Sequence, residues 1–433
     1  MLSENDSKLY DKAMSLANAI QQGQYSLKSR SSKNIPPVEL PSQIAEEREE
    51  EESDSSQEEN EDNTSKVSFE ISGKYKGDYS SKNEPIGKGI LFGKNNIKRY
   101  EGNFVDGKYF GFGIYYYSSR QIRYKGDWVD NQPSGKGIHY YQNGTKEYEG
   151  DWLKGRSYGF GKEYRKNGSQ RYVGYWKLNK YDGVGIEYRK NGSVIYEGGW
   201  KANAYEGKGT EYRHNMTKIY EGDWKKGFLV KGVYHKQNGE VKYDGSWKDG
   251  CYHGYGTLYN EKGLVQYQGN WNMNKYHGEG EQYYDNGCVL YKGVFNNGFL
   301  NGKGKELNPN GTVKYDGEFK DDYWNGSGTE YYDNGNGIKY EGDFKEGYCS
   351  GLGISFFENG LMRYKGQWQN DKFHGVGQEF DEKGNMVFHG CFEKGLREGP
   401  GKVYVKNDLS EVIYESVWES DEIVGMKIDG GIQ

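Results

Sequence analysis

Proline, cysteine and long apolar runs are scarce in this chain, and each shortage removes a class of protein. Only 7 of the 433 residues are proline, and Pro36, Pro37 and Pro41 lie ahead of residue 67. The rest is therefore free to form central β-strands, which proline disrupts because it has no N–H to donate. The four cysteines, Cys251, Cys288, Cys349 and Cys391, are 37, 61 and 42 residues apart, and no pair has the spacing of a metal site. No run is apolar for the length of a membrane helix. The N-terminus lacks the apolar core of a secretory signal, so the sequence predicts a reduced, cytoplasmic setting with no transmembrane segment. There are 7 histidines, and His253, His277 and His374 each precede a glycine of a recurring Gly-x-Gly. No His-x-x-x-His, Gly-x-Ser-x-Gly or Gly-Lys-Ser/Thr occurs, which leaves no expected catalytic residue, cofactor or metal.

Charge is unevenly spread. The net −6 divides into 15 acids and 7 bases over residues 1–66, and 49 acids and 51 bases over residues 67–433. The larger part is near neutral and offers no basic stripe for nucleic acid. Residues 46–63, EEREEEESDSSQEENEDN, cannot bury enough apolar surface to fold, and residues 1–66 as a whole read as a disordered acidic leader. Within it Ser55 and Ser56 each have glutamate three residues on, which suits an acidophilic kinase or simply a solvated spacer. Leu9, Ala13, Leu16, Ala17 and Ile20 have helical spacing over residues 4–21. That helix either caps the first folded unit or docks a partner.

What the chain has in abundance is a repeat. Units open at Tyr75, Tyr100, Tyr124, Tyr148, Tyr172, Tyr196, Tyr220, Tyr243, Tyr267, Tyr291, Tyr315, Tyr340, Tyr364, Phe388 and Tyr414, with steps of 23 to 26 residues. A fixed period over this length means an array of stacked units. Tyr-x-Gly-x-aromatic alternates with period two, as a strand with one covered face does. The fifth position is aromatic in every unit, as in Trp152, Trp176, Trp200 and Trp224, so these rings are expected to be buried together. The glycine between, such as Gly150, allows close approach of a ring or backbone from the next unit. Gly-x-Gly follows (Gly159 and Gly161), then a second strand with an aromatic such as Tyr164. Eight units close on Asn-Gly, at Asn143, Asn167, Asn191, Asn238, Asn286, Asn310, Asn334 and Asn359, for which a type I′ turn is predicted. The expected fold is all-β: an elongated single-layer antiparallel meander of about fifteen β-hairpins over residues 67–433, on the order of 140 Å long.

Tyr-Glu-Gly-Asp-Trp, then Gly-x-Gly and an aromatic, resembles the MORN repeat (membrane occupation and recognition nexus). The resemblance implies a twisted single-layer sheet whose aromatic and glycine positions line a groove. Val230, in place of the first glycine of one Gly-x-Gly in a unit one residue short, and Ser416, in place of the last Tyr-x-Gly glycine, depart from the pattern; a local bend and a capping unit are expected there. Some MORN proteins carry a phosphatidylinositol-phosphate kinase or lysine methyltransferase domain, for which no room remains here. The family implies a non-catalytic scaffold binding protein partners, as in ciliary radial spokes or cytoskeletal collars, with localisation at cytoskeleton or cilium. It also leaves open a phospholipid-binding adaptor, as in junctophilins, or an accessory chain of a separate enzyme. The expected partner groove comprises Tyr148, Trp152, Tyr164, Tyr172, Trp176, Tyr188, Tyr196, Trp200, Tyr212, Tyr220 and Trp224.

Overall fold

A computed structural model describes residues 73–407 and 410–428; the leader and the segment 4–21 lie outside the described residues. The described part is one antiparallel sheet of 30 strands, from Lys74–Tyr79 to Glu422–Ile428. Each strand pairs only with its neighbours in sequence. Two strands make one unit, so the fifteen expected hairpins are all present, the first and last included.

The feature that organises the sheet is a row of paired glycines. Gly137 pairs with Gly150, Gly150 with Gly161, Gly161 with Gly174, and the row runs without a break from Gly77 to Gly401 across 28 strands. On twelve pairs of these glycines lies the first ring of the same unit: Tyr172 covers Gly174 and Gly185. A Cβ on Gly185 would overlap the Tyr172 hydroxyl. The sequence predicts a ring or backbone from the next unit at the Tyr-x-Gly glycine; both come instead from its own unit, where Tyr172 covers Gly174 of its own strand and Gly185 of the paired strand, and the backbone of Gly185 closes on Gly174. The ring's hydroxyl then donates to the carbonyl three residues on, Tyr172 to Tyr175 at 3.2 Å.

Each flat tyrosine is gripped edge-on by two fifth-position rings. Tyr148 meets Trp152 at 5.2 Å and 88°, and Trp176 of the next unit at 5.2 Å and 85°. Such edge-to-face pairs contribute about 0.5–1.5 kcal/mol each beyond area burial. Eight tryptophans, Trp128 through Trp368, donate their indole N–H to the carbonyl of the row glycine 15 residues earlier, at 3.1–3.4 Å.

The turns differ from expectation. In the Asn-Gly loops only glycine has positive φ, as at Gly144 (88°). Gly144 N–H donates to Tyr141 O, and Tyr141 N–H to Thr145 O. That is a three-residue loop, residues 142–144, ending in a left-handed glycine bulge, with the Asn143 side chain accepting from the Thr145 N–H, rather than a two-residue type I′ turn. The two-residue turns with paired positive φ join the strands within a unit, at Asp130 and Asn131 (51° and 63°) or Leu178 and Asn179 (54° and 67°). Their tip asparagines tie units together: Asn179 Oδ1 accepts from Ser157 N–H, and Asn203 Oδ1 from Tyr181 N–H, at 2.8 and 2.7 Å.

Both departures from the repeat are absorbed locally. In regular units the first glycine of Gly-x-Gly bulges at positive φ, as Gly159 does (63°). At Val230 the bulge is one residue shorter, with Asp223 opposite Lys231 and Trp224 opposite Leu229, so no left-handed residue is needed. Gly232 keeps the row intact. Ser416 ends the row against Gly401. Its hydroxyl accepts from the Trp418 indole at 2.7 Å and donates to Gly401 O at 3.0 Å, which preserves the tryptophan-to-carbonyl link through a relay.

Gly185→Ala is expected to displace Tyr172 and loosen the strands nearest it. Because contacts are nearest-neighbour, amide exchange should rise over residues 170–201 and stay unchanged beyond residue 300. A uniform rise over the sheet would show that the units are not independent.

Candidate partner-binding surface

The rings expected to line a groove fall into two groups. Tyr148, Trp152, Tyr172, Trp176, Tyr196, Trp200 and Trp224 are buried in the ring file. They hold the sheet together and present little surface to a partner. Tyr164, Tyr188 and Tyr212 are half-buried. The Tyr164 hydroxyl donates to Glu149 Oε2 at 3.3 Å, a residue that alternation places on the opposite face from Tyr148. Tyr220 is half-buried, because it does not lie on its glycines. In that unit the preceding Ile219 is buried. Tyr291 is displaced in the same way, with Leu290 buried and Leu300 closing over Gly293.

A tenth position completes the covered face, and the repeat pattern alone does not reveal it. Tyr109, Tyr181, Tyr205, Tyr252, Tyr276, Trp324 and Phe373 stack on the flat ring of their own unit, with centroids 3.7–4.4 Å apart and planes within 5–13°. The two displaced tyrosines belong to the units that carry leucine here, Leu229 and Leu300, and Leu300 itself occupies the space over Gly293, whereas Tyr148 stays flat in the unit that carries Ser157.

Beside these rings runs a row of acids. Glu163 is buried, accepts from the Tyr181 hydroxyl, and lies 3.7 Å from Arg171. Glu306 and Glu330 pair with Lys314 and Lys339 at 2.8 and 2.7 Å. At Glu187 the position corresponding to those lysines is Ile195, and the carboxylate accepts only from the Tyr205 hydroxyl, at 3.4 Å, among the described residues. Burial pushes its pKa up to about 7, with Arg171 opposing the rise and Glu163 adding to it.

The opposite face is open. Phe112, Phe160, Tyr175 and Val184 are 43–66% exposed there. Phe160 and Tyr175 meet at 5.7 Å. Phe112 and Phe160 wall a shallow groove of about 430 Å³ floored by Gly126, Gly137 and Gly150, with Lys125, Lys136 and Lys162 beside it. On this face Lys136 pairs with Asp151 at 2.5 Å, and Asp151 also accepts from the Phe160 N–H at 3.1 Å. The carboxylate thus sets the bulge that holds Phe160 outward. Among the described residues no cluster of ligating side chains could hold a metal ion, and no helix is long and apolar enough to cross a membrane.

The raised pKa of Glu187 has a consequence for stability. Its folded pKa lies above the unfolded value of about 4.3, so its contribution is fully present below that value and is lost as pH rises through about 7. Amide exchange in Lys180–Tyr188 and Val194–Lys201, corrected for intrinsic rate, should therefore quicken as pH rises through that window. Glu187→Gln should remove the dependence. An unchanged profile in the variant would assign the effect to another group.

Comparison with known proteins agrees with the repeat. The MORN repeat family model matches residues 100–121, 124–146, 148–170, 172–194, 196–215, 220–241, 243–265, 267–289, 291–313, 315–337, 340–362, 364–386 and 388–406. The hairpins opening at Tyr75 and Tyr414 lie outside those matches but pair in the same way. No curated protein matches the chain. Among solved structures, a TcdB2-TccC3-Cdc42 complex aligns at 8% identity over 83% of this chain and 21% of its own, with a TM-score of 0.10. A Photorhabdus luminescens Tc holotoxin pore aligns at 9% over 78% and 18%, also at 0.10. The chain thus spans about a fifth of each, and neither likeness bears on its fold or role. With thirteen matched repeats in one continuous glycine-and-ring sheet, the chain belongs to the MORN repeat family.

Proposed function

We propose that this MORN-repeat chain is a non-catalytic scaffold that binds and spaces protein partners, in a cytoskeletal or ciliary assembly. The observation that carries the reading is the open groove between Phe112 and Phe160. Exposed apolar side chains over bare backbone, on a face that carries no other layer among the described residues, suit an extended polypeptide. The bound segment would bury one or two apolar side chains, with the flanking lysines meeting its acidic or carbonyl groups. Tyr164, Tyr188 and Tyr212 extend the same face along the next units. Successive units turn the same face outward about every 9.5 Å, twice the strand spacing, each with its own side chains, so weak contacts of different units to one elongated partner add through effective concentration.

The test is pull-down from cytoskeletal and ciliary extracts beside sedimentation with phosphoinositide liposomes. The expected result is a stoichiometric protein partner, lost in the double variant Phe112→Ala, Phe160→Ala, with little liposome binding. Both side chains are exposed, so the variant should keep its β spectrum. Tight, salt-sensitive liposome binding with no protein partner would replace this reading with a phospholipid adaptor.

A further inference from the structure

The near neutrality of the array is an average over two opposed halves. Residues 67–242 carry 32 bases and 19 acids, a net of +13, whereas residues 243–433 carry 19 bases and 30 acids, a net of −11. The midpoints of the halves are about 70 Å apart along the sheet, counted in strand spacings. Screening acts over about 8 Å at physiological salt, so neither half neutralises the other through such a sheet.

The positive charge is concentrated at one edge. Four successive hairpin turns, Leu153–Arg156, Lys177–Lys180, Lys201–Ala204 and Lys225–Phe228, contain seven bases and no acid. Lys154, Lys177, Lys180, Lys201, Lys225 and Lys226 are exposed, and among the described residues none of the six is in an ion pair. Across three of these turns lies a groove of about 410 Å³ lined by Arg156, Lys177, Leu178, Lys180, Asp182 and Ala202. Asp182 is the one acid in its wall. A second nearby acid, Glu206, is engaged by the Lys226 backbone N–H at 3.0 Å. The next eight hairpin turns, from Lys248–Cys251 to Glu419–Glu422, hold 6 bases and 9 acids, so the basic row is particular to these four units.

We propose that this row of turns is the docking surface for the chain's own acidic stretch, Glu49 to Asp62. That stretch holds nine acids and no base, and it joins the array at the positive end. Eleven residues separate Asp62 from the first strand at Lys74, a reach of up to about 36–40 Å. The first basic turn lies six strand spacings along the sheet, about 29 Å, and at the opposite strand ends from Lys74, about 23 Å across, so it is about 37 Å away; Asp62 reaches it only at full extension, and the acids nearer Glu49, up to 24 residues from Lys74, reach it with slack. Fourteen residues at about 3.3 Å each then outspan the four turns, which are about 9.5 Å apart. Tethering places the acids at roughly millimolar effective concentration over the row, so a separate anionic partner must displace them. The two halves of the array thereby acquire different accessibility, the acidic half open and the basic edge guarded.

Carbodiimide cross-linking of the full-length chain tests this, because it joins a carboxylate to a lysine amine only when the two are in contact. Equal parts of isotopically heavy and light chain distinguish links within a molecule from links between molecules. The expected products join residues 49–62 to Lys154, Lys177, Lys180, Lys201, Lys225 or Lys226 within one chain. Their yield should fall about tenfold at roughly 0.5 M salt, and likewise in the variant Lys177→Glu, Lys180→Glu, Lys225→Glu, Lys226→Glu. Links spread evenly over lysines of residues 243–433, mostly heavy-to-light links, or yields indifferent to both salt and charge reversal would each overturn the proposal. The salt arm stands even if the fourfold variant does not fold.

Discussion

An aromatic ring laid flat on a pair of glycines is the interaction on which the rest of this structure depends. A sheet ordinarily buries its apolar face against a second layer. Here no second layer is present among the described residues, and the sheet covers itself: in twelve units the first ring folds down onto Gly-Gly, in seven of them a second ring stacks above it, and tryptophans or phenylalanines close both sides. The glycines serve by what they lack, since any Cβ at Gly185 or Gly161 would stand where the ring lies. Removing that Cβ weakens a strand in isolation; the cost is offset because a ring takes the vacated space.

Periodicity made half of this arrangement legible. The fifth-position ring and the glycines recur with almost no substitution, and a period that strict identifies both the fold and the buried file. The tenth position was hidden because its occupants vary from Tyr181 through Pro133, Ser157 and Cys349 to Arg397, with no shared chemistry to recognise. Their common property is spatial. Each lies opposite the fifth ring of its own hairpin, as Ser157 does opposite Trp152 and Arg397 opposite Phe392, and a bulge of unequal strand lengths obscures that pairing in sequence. The turn types were hidden for a related reason. Leu178 and Ala202 adopt left-handed backbone, which side chains of that kind rarely do, so nothing in their identity announced the two-residue turn.

The candidate surface was less legible than the fold because the two place opposite demands on the repeat. Positions that build the sheet are held constant by packing, and constancy is what a single sequence displays. Positions that face solvent change freely from unit to unit: the residue in the row of Phe112 becomes Lys136, Phe160, Val184 and Lys208 in the next four units. A groove predicted from the most regular aromatics therefore gathers core residues, and burial of Tyr172 and Trp176 is the outcome.

The same separation explains how one array can carry a charge gradient without a cost in fold. Charges at the turns and on the open face lie outside the ring file, and exposed pairs such as Lys208 with Asp223 at 2.8 Å contribute little to stability. Each unit's charge is thus set independently of its neighbours. The exception is the covered face, where Glu163 and Glu187 are buried beside Tyr181 and Tyr205. There charge and packing are coupled, since an ionised carboxylate must find a donor within the file. Arg171 answers Glu163, while at Glu187 the corresponding site holds Ile195, which leaves burial free to raise its pKa. The units that carry the basic edge are therefore also those in which the core is sensitive to pH, and both properties arise from substitutions that leave the glycine row untouched.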